Sequence, residues 1–271
     1  MPQRPLPPSS LPAGASASRV RGATPLEAVF RQSWANADGG GLEAAAAQGV
    51  LVAFFALEDW HPWLDGMRAM LDAAERERVA RKRRQRDGDD LALAYGLHRL
   101  VLGHVMACEA RAVPLARDAR GRPCVQGEAV QTSLSHADGA VAVAVARRGP
   151  VGVDMEAAAR SAQMEEIADA VLHPAEQAAM AALPGSARAG ALLALWVRKE
   201  ALLKAAGIGL AREMPGFRAP EAAPVPLPAI EGPDGRDVVL RMIDAGRDWM
   251  AAVATLPGAP LASAWVHRPA R

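Results

Sequence analysis

The chain has 271 residues, enough to bury a substantial core as one large domain or two small ones. Half of it is hydrophobic (51%) and the formal net charge is only +1, which argues against a general nucleic-acid binder or a membrane-surface protein and confines any basic site to a local patch. No apolar run approaches the roughly 18 residues of a membrane span, the start lacks the apolar stretch of a signal peptide, and Cys108 and Cys124 are too few for a disulfide framework or a zinc site; a cytoplasmic protein is expected.

Residues 1–48 are rich in Pro, Ala, Gly and Ser, the composition of a disordered tail. Within it Leu26, Val29, Phe30 and Trp34 have the spacing of one helical face, which either docks or frays. Order begins near Val50. Residues 50–57 read as a core strand, 63–84 as a helix with a densely charged second half, and 90–111 as a helix burying Leu91, Tyr95, Leu100 and Val101. Arg120-Gly121-Arg122-Pro123 is a turn leading into a short strand at Cys124-Val125. Val141, Val143 and Val145 alternate with alanines as a strand does; with a turn at 147–150 and a second strand at 151–156 they suggest a hairpin. Helices are expected over 163–171, 174–183 and 188–206, and antiparallel strands over 238–243 and 250–254. The order strand, helices, strands occurs twice. The expected class is therefore α+β, with a tail at 1–48 and two similar halves at 49–150 and 151–271.

The chemistry concentrates in the second half. In Val151-Gly152-Val153-Asp154-Met155-Glu156 the strand alternation sends the three apolar side chains to the core and places Gly152, Asp154 and Glu156 on the other face. Two carboxylates there, with a glycine leaving space beside them, suit a hard cation such as Mg2+; a solvated strand end would look the same. In the helix over 188–206, Trp196, Glu200 and Lys204 lie along one stripe. Glu200 and Lys204 could be an ordinary surface pair. However, only three of the 31 basic residues are lysines, Lys82, Lys199 and Lys204, and the other 28 are arginines. Lysines retained against that background suggest sites that want a compact ammonium, as phosphate neutralisation does. Ser133-Leu134-Ser135-His136 precedes the valine strand, and a histidine in such a loop is either a capping residue or a ligand contact.

Together, Gly152-Val153-Asp154-Met155-Glu156 and Trp196-x-x-Lys199-Glu200-x-x-x-Lys204, preceded by Gly121-Arg122-Pro123 and Leu134-Ser135-His136, resemble the signature of 4′-phosphopantetheinyl transferases. The resemblance covers roughly residues 50–255 and is nearest to the longer, monomeric, surfactin-synthetase-activating type, whose two α+β halves sit in a pseudo-twofold arrangement. It implies a magnesium-dependent enzyme that moves the 4′-phosphopantetheine arm of coenzyme A onto a serine of an acyl or peptidyl carrier protein and releases 3′,5′-ADP. Carried over residue by residue, Asp154, Glu156 and Glu200 would hold Mg2+, with Glu200 the candidate base. Lys204 would neutralise the pyrophosphate. Arg78, Arg122 and His136 would bind the 3′-phosphoadenosine end, and Lys199 would be a second phosphate contact or a structural neighbour. Two departures touch the adenine contacts and carrier surface: Ala137 stands where the family often has a second serine, and Arg81-Lys82-Arg83-Arg84 where it often has aromatics. The rival readings are a metal-dependent phosphoesterase and a coenzyme A or carrier-protein binding module without activity. Neither nucleic acid nor membrane is an expected partner.

Overall fold

The computed structural model describes residues 24–37, 41–228 and 233–268. Residues 1–23 of the expected tail lie outside the described residues, but much of the rest is helix: α1 (Pro25–Ala37) and α2 (Leu42–Gln48). Leu26, Phe30 and Trp34 recur every four residues on one face of α1 and all are buried. Phe30 lies 5.6 Å from the Trp34 ring and 6.0 Å from that of Trp60, and Trp34 Nε1 donates to Glu43 Oε1 at 2.9 Å, tying the two helices together. The docking alternative holds. Composition misleads here because Ala- and Gly-rich flanks dilute three large side chains whose burial contributes about 1.5–3 kcal/mol each.

The chain continues through β1 (Val50–Ala56), α3 (Leu57–Trp60), α4 (Leu64–Met70), α5 (Ala73–Ala80) and the 22-residue α6 (Gln85–Met106). A two-stranded ribbon, β2 (Leu115–Arg117) and β3 (Pro123–Val125), precedes β4 (Gln131–Ala137), β5 (Ala140–Ala146) and β6 (Gly152–Ala157). After a 3-10 stretch (Ala158–Ile167) come α7 (Ala168–Val171), α8 (Pro174–Ala181) and the 22-residue α9 (Gly185–Ala206). Strands β7 (Pro224–Pro228), β8 (Pro233–Ile243), β9 (Trp249–Thr255) and β10 (Leu261–Trp265) follow. The helix expected over 63–84 breaks before α5 because Asp72 starts a new one. Its carboxylate accepts from Glu75 N–H at 2.8 Å and Glu75 returns the bond to Asp72 N–H at 3.1 Å, a reciprocal cap.

The α+β plan appears twice, as expected. One sheet has the order β10-β1-β5-β4 and the other β6-β9-β8-β7; β1 and β10 are parallel and every other pair in these two sheets is antiparallel. Strand alternation builds the layers. Leu51, Ala53 and Phe55 face α6 through Leu93, Leu97 and Leu100, whereas Val50, Val52 and Phe54 face Val153, Met155 and Val253 of the other sheet. The outer face of the second sheet, through Leu240 and Ala252, packs on α9. The order is helix, sheet, sheet, helix, with β4 and β6 at neighbouring edges.

Two expectations about connection are corrected. β5 and β6 form no hairpin, because they belong to different sheets. Arg147 pins the intervening turn to the first half by donating to the carbonyls of Ala46 and Val105, and Gly149, at φ +70°, leaves room for Leu256 on the second. The true hairpin joins β4 to β5 through Asp138-Gly139, both at positive φ (+42° and +83°), as a mirror-image two-residue turn requires. The halves also do not divide cleanly at residue 151, since β10 returns to pair with β1. Among the described residues, no helix is long and apolar enough to cross a membrane.

Candidate active site

On β6, Gly152, Asp154 and Glu156 face α9. The glycine does not open space for an ion. A Cβ there would sit 2.0 Å from Ala201 O and 2.4 Å from Ala205 N, so its absence lets the α9 backbone lie directly on the strand. That close approach brings the expected stripe onto the carboxylates. Lys204 Nζ donates to Asp154 Oδ1 at 2.6 Å and to Ser135 Oγ at 2.9 Å, and Ser135 Oγ donates to the same Asp154 oxygen at 2.8 Å. Glu156 pairs with Arg160 at 2.5 Å, and the Arg160 guanidinium lies 5.2 Å over the Trp196 ring. Asp154 is only 4% exposed, so this strand face is an interior wall rather than a solvated end.

Burial, reinforced by the charges of Asp154 and Glu156, pushes Glu200 up to about 7 despite the opposing Lys204 and Arg160. Burial and Asp154 also raise Glu156, against its bond to Arg160. Asp154 Oδ2 is buried without a hydrogen-bond partner, a costly condition for a carboxylate oxygen. Among the described residues no three His, Cys, Asp or Glu side chains converge into a ready coordination sphere; Asp154 and Glu156 instead hold Lys204 and Arg160. The donor set nevertheless fits Mg2+. It is all oxygen, it includes an orphaned buried oxygen, and two of its acids are held above their ordinary range partly by repulsion that a cation would relieve.

Beside the acids opens a cleft of about 250 Å³ lined by Tyr95, Arg117, Arg122, His136 and Lys204. His136 is on β4, not in a loop, because the turn comes only at Asp138. The walls of the cleft push its imidazole below the ordinary value, and the charges of Lys204, Lys82 and Arg117 add to this while Asp90 opposes it. Arg122 Nη2 donates to Gln131 Oε1 at 2.9 Å. Arg117 Nη1 donates to Gly121 O at 2.8 Å, and its guanidinium lies 4.8 Å over the Tyr95 ring. Arg122 Nε and Arg117 Nη2 remain buried and unpaired. Fixed guanidinium N–H groups without acceptors, beside an imidazole and an ammonium, make a site for an anion.

Asp154, Glu156, Glu200 and Lys204 thus meet at one place, with Arg122 and His136 in the adjoining cleft. Arg78 does not line that cleft; Lys82, four residues on, is the cation of that segment whose charge reaches His136. Lys199 is corrected from a phosphate contact to its structural alternative. Its ammonium is wholly buried and donates to the carbonyls of Val171 (2.7 Å), Met214 (2.9 Å) and Phe217 (2.9 Å), while pairing with Glu176 at 2.8 Å. Burial pushes the Glu176 carboxyl up, but Lys199 and the amides of Ala219 and His173 outweigh that and hold it low. Arg117, Tyr95 and Ser135 are contributors that the sequence reading did not assign. Arg117 was the most accessible of them, as the basic residue entering the turn that carries Arg122.

Residues 150–251, which carry the acids and Lys204, match the model of the 4′-phosphopantetheinyl transferase superfamily, a similarity that agrees with the resemblance read from the short motifs. Among curated proteins, the 4′-phosphopantetheinyl transferase HetI of Nostoc sp. is 27% identical to this chain over 121 residues, which is 43% of this chain and 51% of HetI. The chain spans about half the length of that relative.

Proposed function

We propose that this protein is a magnesium-dependent 4′-phosphopantetheinyl transferase of the longer, monomeric type, acting in the cytoplasm on coenzyme A and an acyl or peptidyl carrier protein. The observation that carries this reading is the junction of the acid cluster with the basic cleft at Lys204. One end offers carboxylates to a cation, the other offers unpaired guanidinium N–H groups to an anion, and Lys204 lines both.

Asp154, Glu156 and Glu200 would hold Mg2+, which when bound supplies charge neutralisation on the pyrophosphate. Arg122 and His136, joined by Arg117, would hold the 3′-phosphoadenosine end, with an anion there restoring the proton affinity that His136 has lost. Lys204 would meet the pyrophosphate as a point charge. The carrier serine oxygen attacks the phosphorus bearing the pantetheine arm, the bond to 3′,5′-ADP breaks, and the serine proton passes to Glu200, the carboxylate placed beside both Asp154 and Lys204. The test is incubation with coenzyme A, Mg2+ and an apo carrier protein, read by intact mass. A gain of one phosphopantetheine on the carrier, lost when Mg2+ is chelated, is the expected result. Hydrolysis of phosphoesters without transfer would overturn the reading.

A further inference from the structure

The two sheets meet at β4 and β6, each an edge strand of its own sheet. Such edges leave backbone N–H groups that need acceptors. Two serines from β4 supply them. Ser133 Oγ accepts from Val153 N–H at 3.1 Å, and Ser135 Oγ accepts from Met155 N–H at 3.3 Å. The spacing is two residues on each strand, so both hydroxyls point at the same edge of β6, and both serines are buried.

The pair is alike in that stitch and unlike in one respect. Ser135 alone also donates to Asp154 Oδ1 and accepts from Lys204 Nζ, so its hydroxyl makes one bond as donor and two as acceptor, its full capacity. Asp154 Oδ1 is thereby held from two sides, by Ser135 and Lys204, while Oδ2 is left buried and unpaired. We propose that Ser135 is a positioning residue for the cation site: it fixes the Asp154 carboxylate so that Oδ2 is the oxygen offered to the divalent ion. The inference rests on the reading of Asp154 as a metal ligand. Outer partners that orient a ligating carboxylate typically carry about 10–100-fold in metal affinity.

Ser133 provides the matched control. Mn2+, counted as the free ion by electron paramagnetic resonance at saturating coenzyme A, is titrated into the wild type, Ser135→Ala and Ser133→Ala. Thermal midpoints are measured in chelator. Both variants should lower the midpoint, since each loses an acceptor for a β6 amide, and Ser135→Ala should lower it more, because its bonds to Asp154 and Lys204 are lost as well. Only Ser135→Ala should weaken Mn2+ binding, by about 10–100-fold, with Ser133→Ala within about 3-fold of wild type. Equal weakening in the two variants, or none in Ser135→Ala, overturns the role of Ser135. A wild type that binds no Mn2+ overturns the metal reading itself and Ser135's role with it. Should Ser135→Ala fail to fold, Ser135→Cys keeps the volume with a much weaker donor and acceptor, and the same ordering is expected of it.

Discussion

Glu200→Gln offers a test of the acid cluster that needs neither substrate nor partner. In the folded protein the Glu200 carboxyl is pushed from 4.5 up to about 7, by burial first and then by Asp154 and Glu156. Folding therefore favours the protonated form. The stability linked to that proton is present in full below about pH 4.5 and is lost as pH rises through about 7. At 1.36 kcal/mol per pH unit, the cost of ionised Glu200 above pH 7 amounts to at most about 3 kcal/mol. Glutamine is neutral at every pH, so in chelator the variant should match the wild type near pH 4.5. It should exceed the wild type at pH 8 by up to about 3 kcal/mol, on the order of 5–10 °C in midpoint for a chain of this size. Thermal or urea unfolding of both proteins from pH 4.5 to 8, with chelator throughout, measures this; comparing the pair cancels the other titrating groups. A variant no more stable than the wild type at pH 8 would mean that Glu200 ionises there without penalty, and that the three carboxylates do not crowd one site.

Lys199→Met should destabilise by about 3–5 kcal/mol in urea unfolding, because it strands the Glu176 carboxylate and three buried carbonyls; a loss under about 1 kcal/mol would contradict a structural role. Lys204→Arg should lower the rate of transfer at least tenfold, about 1.4 kcal/mol of transition-state stabilisation, with a small change in thermal midpoint. The planar guanidinium cannot replace an ammonium bonded to both Asp154 and Ser135, and wild-type turnover would reduce Lys204 to a structural pair partner of Asp154. Deleting residues 1–45 should leave the chain unfolded or insoluble, judged by circular dichroism and gel filtration, since it removes Leu26, Phe30, Trp34 and Leu42 from the core; a stable, active truncation would show that α1 is dispensable.

What local spacing alone specifies was readable. Strand alternation put Asp154 and Glu156 on one face, the four-residue stripe put Trp196, Glu200 and Lys204 on another, and the scarcity of lysine pointed to Lys204. Even the division of labour between two nearby lysines was partly accessible. Five positions along a 3.6-residue helix separate Lys199 from Lys204 by about 140°, so both cannot face β6. The local cue at Asp138-Gly139 is stronger, since its turn chemistry makes Ser133 to His136 part of a strand rather than a loop.

The rest depended on contacts between distant parts of the chain, for which a one-dimensional pattern has no term. Val141 to Val145 and Val151 to Met155 look like partners because both alternate and a turn lies between them, yet pairing is decided by which edges are free, and β5 is already flanked by β1 and β4. The burial of α1 required the ring of Trp60 and the carboxylate of Glu43 to be in place. Gly152 leaves room for a helix backbone rather than for an ion, a distinction that exists only once α9 is laid on β6. Which oxygen of Asp154 is held and which is left free was settled last, by Ser135 and Lys204 reaching it from 19 and 50 positions away in the chain. The sequence by itself determined which residue types were available for the chemistry and their local faces; the tertiary structure decided their partners, because hydrogen bonding and desolvation act on distances in space and not on positions along the chain.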